Sequence, residues 1–304
     1  MNIEAEKKMR KDVGIIIFSV ISVLTLVFLI QKHNANPNIS VHFTETETLT
    51  NFVLEFMNSS DTFLYVSALD VSHPIVLSAL KKLQENGVDV RVLSEKPVVG
   101  LRSKLDASKG LHHVKFMVND NGVIFGSANF SVSGLETGLN DLILFPKNYS
   151  ERFKEFFLNL WEYGKIGRVK GFLVSPVDNP EEKVLKAIQK ARKRIYICMY
   201  AFTDENILAS IKWKQSQGID VQIVTDKWFL RSRISKYLRG NCKIINRTML
   251  HHKFIIVDDE LFTGSTNYTE SGFHKNVEMI WNTKDRRIVK MYEQIFKALL
   301  NGSW

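Results

Sequence analysis

The chain has 304 residues, of which 45% are hydrophobic, and its formal net charge is +9. This is enough apolar material for one duplicated domain or two small ones. Two cysteines exclude a disulfide framework, and no Cys/His spacing resembles a zinc site, so no metal or other cofactor is expected. The positive charge favours nucleic acid or an anionic membrane surface as partner, and a generally basic soluble surface remains the alternative.

The N-terminal region predicts a membrane anchor. Residues 13–30 carry no charge, and their number is close to the minimum that spans a bilayer. The following QKHN lacks a cleavage site, so we expect an uncleaved anchor rather than a signal peptide. Four basic residues within 1–12 make that tail cytoplasmic and place the catalytic part on the opposite side of the membrane. Residues 31–40 read as a polar tether.

From residue 41 onward, the hydrophobic periodicity alternates between strands and helices. The first half predicts, in chain order, helix 49–57, strand 63–68, helix 75–86, strand 88–93, strand pair 114–118 and 123–125, strand 141–145 and helix 150–163. The second half predicts helix 181–193, strand 195–202, helix 205–217, strand 221–225, strand pair 253–257 and 261–263, strand 277–281 and helix 287–300. Gly87 and Gly218 end corresponding helices.

This order predicts an α/β fold. We expect two similar α/β sandwich halves, 41–165 and 166–304, with mixed sheets flanked by helices. A pseudo-two-fold axis would relate the halves, after the N-terminal transmembrane helix.

The sequence also contains a repeated pattern of chemically active residues. His113-x-Lys115-x4-Asp120 recurs 138 positions later as His251-x-Lys253-x4-Asp258. Each copy is followed by Gly-Ser-x-Asn, which gives Gly126, Ser127 and Asn129, then Gly264, Ser265 and Asn267. A second match, 87–96 with 218–227, has an offset of 131, so the second half carries seven extra residues before its motif. They fall in a basic stretch, 227–250, which is either a rim of the substrate site or a solvated helix face.

The repeated residues suit phosphodiester cleavage. A neutral imidazole can attack phosphorus, and a protonated one can donate to the leaving oxygen. Lysine, serine and asparagine side chains can hold the non-bridging oxygens. In a strand, His-x-Lys places both side chains on one face, so His252 points to the apolar side, where we expect a packed, hydrogen-bonded histidine.

These motifs resemble the signature of the phospholipase D superfamily, from about residue 40 to the end. The resemblance implies a metal-independent, two-step reaction at a site shared by both halves, with His113 as nucleophile and His251 as general acid. It implies a catalytic set of His113, Lys115, Asp120, His251, Lys253, Asp258 and Glu278, and phosphate binding by Ser127, Asn129, Ser265 and Asn267. The acidic Glu278, eleven positions after Asn267, would orient a histidine ring.

The first half departs from this pattern. The position equivalent to Glu278 is Asn140, followed by Asp141. An amide cannot stabilise a histidinium as a carboxylate does, so either Asp141 serves through a shifted strand or His113 is held differently. Phe130 and Tyr268 follow the motif asparagines and either line the site or pack at the strand ends.

The leading functional hypothesis is a membrane-anchored phospholipase D-type phosphodiesterase. It would cleave phospholipid head groups through a phosphohistidine, act as a monomer with both motifs in one chain, and have a phospholipid or membrane surface as partner. The alternative is a nuclease that acts on DNA or RNA with the same site. A non-catalytic phosphate-binding protein is the third hypothesis, and the two intact His-Lys pairs argue against it.

Overall fold

The computed structural model describes residues 39–238 and 242–303. The predicted cytoplasmic tail, the predicted membrane span and most of the predicted tether lie outside these residues. At the start of the described residues, Ile39 is buried and Ser40 begins the first strand. Among the described helices, none has the length and apolar character needed to cross a membrane.

The described residues form two mixed β-sheets of the same topology. The first sheet contains β1 (Ser40–Phe43), β2 (Phe63–Ala68), β3 (Asp89–Ser94), β4 (Ser103–Leu105), β5 (Phe116–Asn119), β6 (Gly122–Gly126) and β7 (Asp141–Pro146). The second contains β8 (Phe172–Ser175), β9 (Arg194–Met199), β10 (Asp220–Asp226), β11 (Cys242–Ile245), β12 (Lys253–Val257), β13 (Glu260–Gly264) and β14 (Glu278–Thr283). Their spatial orders are β1-β7-β6-β5-β2-β3-β4 and β8-β14-β13-β12-β9-β10-β11.

Helices cover the sheets and join the strands. They are α1 (Leu49–Asn58), α2 (Pro74–Glu85), α3 (Ser150–Tyr163), α4 (Pro180–Lys190), α5 (Glu205–Ser216), α6 (Ser235–Leu238), α7 (Glu270–His274) and α8 (Arg286–Asn301), with a π-helix at Ser133–Thr137 and 3-10 turns at Lys147–Tyr149 and Lys227–Arg231. Side-chain caps fix several helix starts. Asp204, for example, accepts a bond from the Ile207 N–H at 2.8 Å at the start of α5.

Three apolar clusters stabilise this arrangement. One packs α1 and α2 on the outer face of the first sheet, and another packs α4 and α5 on the second. The third lies between the sheets and includes α3 and α8. Its side chains come from both halves, for example Phe125, Phe145, Phe172 and Trp281, whose rings meet at centroid distances of 5.0–5.5 Å. The two halves therefore share one core, and residues from Ile39 onward form one compact unit.

The predicted α/β fold with mixed sheets and flanking helices is confirmed, and the main predicted elements agree with the structure to within a few residues. Sequence periodicity missed the edge strands β1, β4, β8 and β11. Each of them has only three or four residues, too few for a clear alternating pattern.

Candidate active site

The two His-x-Lys motifs lie where the halves meet. The backbone N–H groups of His113 and Val114 donate to the Val277 carbonyl at 3.0 and 2.8 Å. The reciprocal contact joins the N–H of His251 to the carbonyl of Leu139 at 2.9 Å. Each motif histidine is thus bonded to the segment that leads into β14 or β7 of the other half. Both histidine side chains are largely buried, with 7% and 6% exposed.

This crossing determines which side chain orients each histidine. Nδ1 of His113 lies 2.9 Å from the Glu278 carboxylate, and Nδ1 of His251 lies 2.8 Å from Oδ1 of Asn140. The sequence left open whether Asp141 serves a histidine in place of Asn140 or His113 is held differently. The structure shows the second case, because the carboxylate from the second half holds the histidine of the first half.

The motif serines hold these orienting side chains. The Ser265 hydroxyl donates to Glu278 at 2.6 Å, and its oxygen accepts from the N–H of Met279 at 3.0 Å. Ser127 bonds Asn140 and Asp141 in the same manner at 3.0–3.2 Å. The phosphate-binding role of Ser127 and Ser265 stays a prediction, and in this structure both hydroxyls are engaged inside the protein.

The motif glycines allow this close approach. A Cβ at Gly126 would collide with the Asp141 carbonyl, and one at Gly264 with the Met279 carbonyl. Gly264 also has φ +152°, a conformation that L side chains rarely adopt. Larger residues would push each serine away from its orienting partner.

The motif lysines are buried and point to the same region. Nζ of Lys253 donates to the His251 carbonyl at 2.6 Å, and Nζ of Lys115 donates to the His113 carbonyl. Burial lowers the pKa of Lys115 to about 7. Burial, together with the charge of Lys115, also lowers the pKa of Lys253 well below its ordinary value. A bound phosphate would favour the charged form of both lysines.

The motif asparagines follow the glycine turns. Oδ1 of Asn129 and Oδ1 of Asn267 are buried and have no hydrogen-bond partner among the described residues. A buried amide without a partner is costly unless a ligand satisfies it. A phosphate oxygen cannot satisfy these two oxygens, because all of them are acceptors; only the Nδ2 group of each amide could donate to a phosphate.

The motif aspartates lie elsewhere. Asp120 accepts bonds from the N–H groups of 61–63, and Asp258 accepts from those of 192–194, at 2.8–3.3 Å. Asp120 lies seven residues beyond His113, roughly 20 Å along an extended chain. The assignment of Asp120 and Asp258 to the catalytic set stays a prediction. In the structure, each ties the end of its motif strand to the start of β2 or β9, which favours a structural role.

The histidines next to the motif histidines differ in charge. Nδ1 of His252 lies 2.8 Å from Asp141, and its Nε2 lies 2.8 Å from Glu45. Burial acts to lower the pKa of His252, but Glu45 and Asp141 outweigh it and raise that pKa to about 9. His112, bonded to Ser67 at 2.7 Å, has its pKa lowered to about 4 by burial. The prediction of a packed, hydrogen-bonded His252 is confirmed.

Aromatic residues near the site divide into two groups. Phe130 and Tyr268 are buried in the outer clusters, so they pack rather than line the site. Tyr200, which the motif pattern did not indicate, lies beside the site instead. Its ring centroid is 5.1 Å from that of His251, and Nζ of Lys253 lies 5.4 Å from it. The one sequence signal for Tyr200 is its position directly after β9, at the end of that strand nearest Lys253.

The arrangement suits nucleophilic catalysis at a phosphate. Burial lowers the pKa of both histidines, for His113 against the raising effect of Glu278, and so favours the neutral form of both rings in the free protein. With Nδ1–H donated to Glu278, Nε2 of His113 keeps its lone pair for attack. Among the described residues, no three His, Cys, Asp or Glu side chains are grouped so that they could hold a metal ion.

This fold and site define a duplicated phosphodiesterase architecture, and comparison with known proteins agrees. Residues 184–300 match the family model of the cardiolipin synthase, PLD-like domain. A mitochondrial cardiolipin hydrolase from Xenopus tropicalis is 29% identical over 129 residues, which cover 40% of this chain and 61% of that protein. A phospholipase D from Rickettsia prowazekii (strain Madrid E) is 31% identical over 118 residues, which cover 36% and 58%.

These matches support the phospholipase D superfamily as the family of this chain. The chain spans about three fifths of the length of these two relatives. Phosphatidylserine synthase from Haemophilus influenzae Rd KW20 has the same fold, with a TM-score of 0.64, 12% identity and 86% of both chains covered.

Proposed function

We propose that this protein hydrolyses phospholipids through a covalent phosphohistidine on His113, with His251 as the general acid. The observation that carries this assignment is the unequal support of the two rings. Glu278 places a carboxylate on Nδ1 of His113, whereas Asn140 offers only an amide oxygen to His251. A carboxylate increases the basicity of the attacking ring, and an amide leaves the donor ring more acidic.

In the first step, Nε2 of His113 attacks phosphorus, and the bond from phosphorus to the head-group oxygen breaks. The proton on Nε2 of His251 moves to that oxygen. His251 acquires this proton when the substrate binds, because a phosphate anion beside the ring favours the imidazolium. Lys115 and Lys253 hold the non-bridging oxygens, and the amides of Asn129 and Asn267 add hydrogen bonds.

In the second step, water attacks phosphorus, its proton moves to Nε2 of His251, and the bond between nitrogen and phosphorus breaks. The product is phosphatidate. Another alcohol in place of water would give transphosphatidylation. Every group named in these steps belongs to the chain, so the proposed reaction is independent of a metal.

Two lines support a phospholipid as the substrate. The relatives described above are named as a phospholipase D and a cardiolipin hydrolase. The uncharged segment 13–30 would anchor the chain in a bilayer, with the tail 1–12 in the cytoplasm and the site on the other side. An anchor raises the effective concentration of lipid at the site. Both halves of one chain build the site, so a monomer is sufficient.

The test uses the full chain in mixed micelles with EDTA. We expect phosphatidate release by the wild type and loss of the covalent adduct in His113→Ala. With a nitrophenyl ester, whose leaving group needs no proton, we expect the adduct to accumulate in His251→Ala. Acid quench followed by mass analysis of peptides locates the adduct. Lys186→Gln, at an exposed position outside the site, is the control and should behave as the wild type in both measurements.

Other outcomes separate the alternatives. An adduct on His251 in the His113→Ala variant would reverse the two roles. Activity that disappears in EDTA and returns with Mg2+ would overturn the mechanism. Cleavage of a single-stranded oligonucleotide without release of phosphatidate would replace phospholipid with nucleic acid as the substrate, and a steep loss of activity with salt would accompany it.

A further inference from the structure

The site has an aromatic wall on the His251 side. Tyr200 and Trp228, both partly exposed, stack with ring centroids 6.0 Å apart and planes inclined by 30°. Tyr200 in turn lies 5.1 Å from the His251 ring. Buried Asp226 fixes this geometry, because it accepts the N–H of Trp228 at 2.8 Å and that of Leu250 at 3.1 Å. The same carboxylate therefore holds the aromatic turn and the residue before His251.

The wall exists on one side only. At an offset of 131, the first-half equivalents of Tyr200 and Trp228 are Leu69 and Pro97. The duplicated fold alone would give two similar sides. This difference between the halves lies next to His251, the ring that protonates the leaving-group oxygen in the proposed function. The wall is therefore placed to contact the leaving alcohol rather than the phosphatidyl group.

Cations border the wall. Lys227 and Arg231 begin and end the 3-10 turn that carries Trp228, and both are exposed. Within residues 39–238 and 242–303, neither makes an ion pair. Burial and Asp226 raise the pKa of the Tyr200 phenol, whereas the charge of Arg231 acts to lower it. The Arg231 guanidinium is therefore close enough to the Tyr200 phenol to interact with it electrostatically. No acidic residue occurs between Lys227 and Leu238.

We propose that Tyr200, Trp228 and Arg231 form a leaving-group subsite for an alcohol that carries a second phosphate. This inference rests on the proposed function and specifies the head group that it releases. The aromatic rings cover the carbon skeleton of the alcohol. The planar guanidinium of Arg231 binds the second phosphate, with Lys227 as an additional point charge.

The charge of the wall decides between two kinds of head group. Aromatic pairs can also bind quaternary ammonium groups through their ring faces. Here Nζ of Lys253 already lies 5.4 Å from the Tyr200 ring, and the exposed Lys227 and Arg231 supply positive charge. The carboxylate of Asp226, beside the ring, is buried and bonded to backbone N–H groups. A choline head group would therefore meet repulsion, and a phosphate would meet attraction.

The experiment compares three short-chain lipids with the full-length protein: phosphatidylglycerophosphate, phosphatidylglycerol and phosphatidylcholine. The first two differ only in the terminal phosphate of the head group. We expect wild-type kcat/KM to be at least about tenfold higher for phosphatidylglycerophosphate than for phosphatidylglycerol, and lowest for phosphatidylcholine. Arg231→Gln should bring the first ratio close to one, and Trp228→Leu should raise KM for both glycerol lipids.

Matched controls are Arg286→Gln and Trp213→Leu, which change exposed residues on α8 and α5. Both should keep the wild-type ratios. Hydrolysis of all three lipids at equal rates, or an Arg231→Gln ratio equal to that of the wild type, would overturn the subsite while leaving the proposed function intact. Failure of the wild type to hydrolyse any of the three, with cleavage of a single-stranded oligonucleotide instead, would overturn the proposed function together with the subsite.

Discussion

The carboxylate of Glu278 lies 2.9 Å from Nδ1 of His113, although 165 residues separate them in the chain. The reciprocal pair, Asn140 and His251, is 111 residues apart and lacks the carboxylate. Because each motif histidine also bonds the backbone just before the orienting residue of the other half, neither histidine finds its orienting partner within its own repeat. Duplication thus produced a site in which each half positions the nucleophile or the acid of the other.

Single substitutions of the two orienting residues should separate the role of the nucleophile from that of the acid. Glu278→Gln keeps the hydrogen bond but removes the negative charge, so we expect the rate of adduct formation to fall about 100-fold. Asn140→Asp should raise the pKa of His251 and make it a poorer acid. That variant should slow release of glycerol more than release of nitrophenol, whose departure needs no proton.

Rapid-quench kinetics with the two kinds of leaving group would measure both effects. Because Glu278 and Asn140 act through the histidines, the pH profile of adduct formation is the decisive readout. An unchanged profile in Glu278→Gln, with loss of folding stability only, would show that Glu278 has a structural role.

Phosphate binding should weaken as the pH rises above 7. Burial lowers the pKa of Lys115 to about 7, so the free protein loses this positive charge between pH 6 and 8. Binding of a phosphate oxyanion requires the charged form and therefore takes up a proton at higher pH. We expect the Kd for tungstate to rise by up to about tenfold per pH unit above 7.

Calorimetric titration with tungstate between pH 6 and 9, in buffers of different ionisation enthalpy, would measure the affinity and the proton uptake together. Lys115→Arg, which keeps its charge throughout, should flatten the profile. A wild-type Kd that does not change over this range would contradict the prediction.

The sequence predicted the long elements and the grouping of His113 with His251, because both features follow from periodicity and from an exact repeat. It could not predict which half supplies each orienting residue. That depends on the reciprocal backbone contacts of Leu139 and Val277, which carry no side-chain signal. The motif serines and aspartates show another limit. A residue that recurs in both halves can be needed for folding at both places, and position alone does not distinguish this from catalysis.

Removal of a motif aspartate should lower stability rather than the chemical rate. The Asp120 carboxylate bonds three backbone N–H groups and the Thr62 hydroxyl. Burial acts to raise its pKa, but these bonds outweigh burial and lower it to about 2. We expect Asp120→Asn to lower the free energy of unfolding by about 1–3 kcal/mol, since it removes a charged acceptor of several bonds.

Chemical denaturation and a steady-state assay of turnover would test stability and chemistry separately. The contribution of Asp120 should be present above pH 4 and should be lost as the pH falls toward 2, because the folded protein holds this proton less tightly than the unfolded chain. Glu182→Gln, on the exposed face of α4, is the control. A variant that turns over substrate about 100-fold more slowly at unchanged stability would support the place of Asp120 in the catalytic set.

The buried His252 should make the protein sensitive to alkaline pH. Glu45 and Asp141 contact its two ring nitrogens, and they raise the pKa of His252 to about 9 against the opposing effect of burial. Because the folded pKa lies above the ordinary 6.5, the stabilising contribution of His252 is complete below pH 6.5 and is lost as the pH rises through 9.

His252→Asn leaves two buried carboxylates without their cation, and we expect the free energy of unfolding to fall by about 3–5 kcal/mol. The difference between the wild-type and variant unfolding free energies, measured from pH 6 to 10, should shrink above pH 8. A constant difference would mean that His252 is neutral in the folded protein, and Glu45→Gln should then be as stable as the wild type.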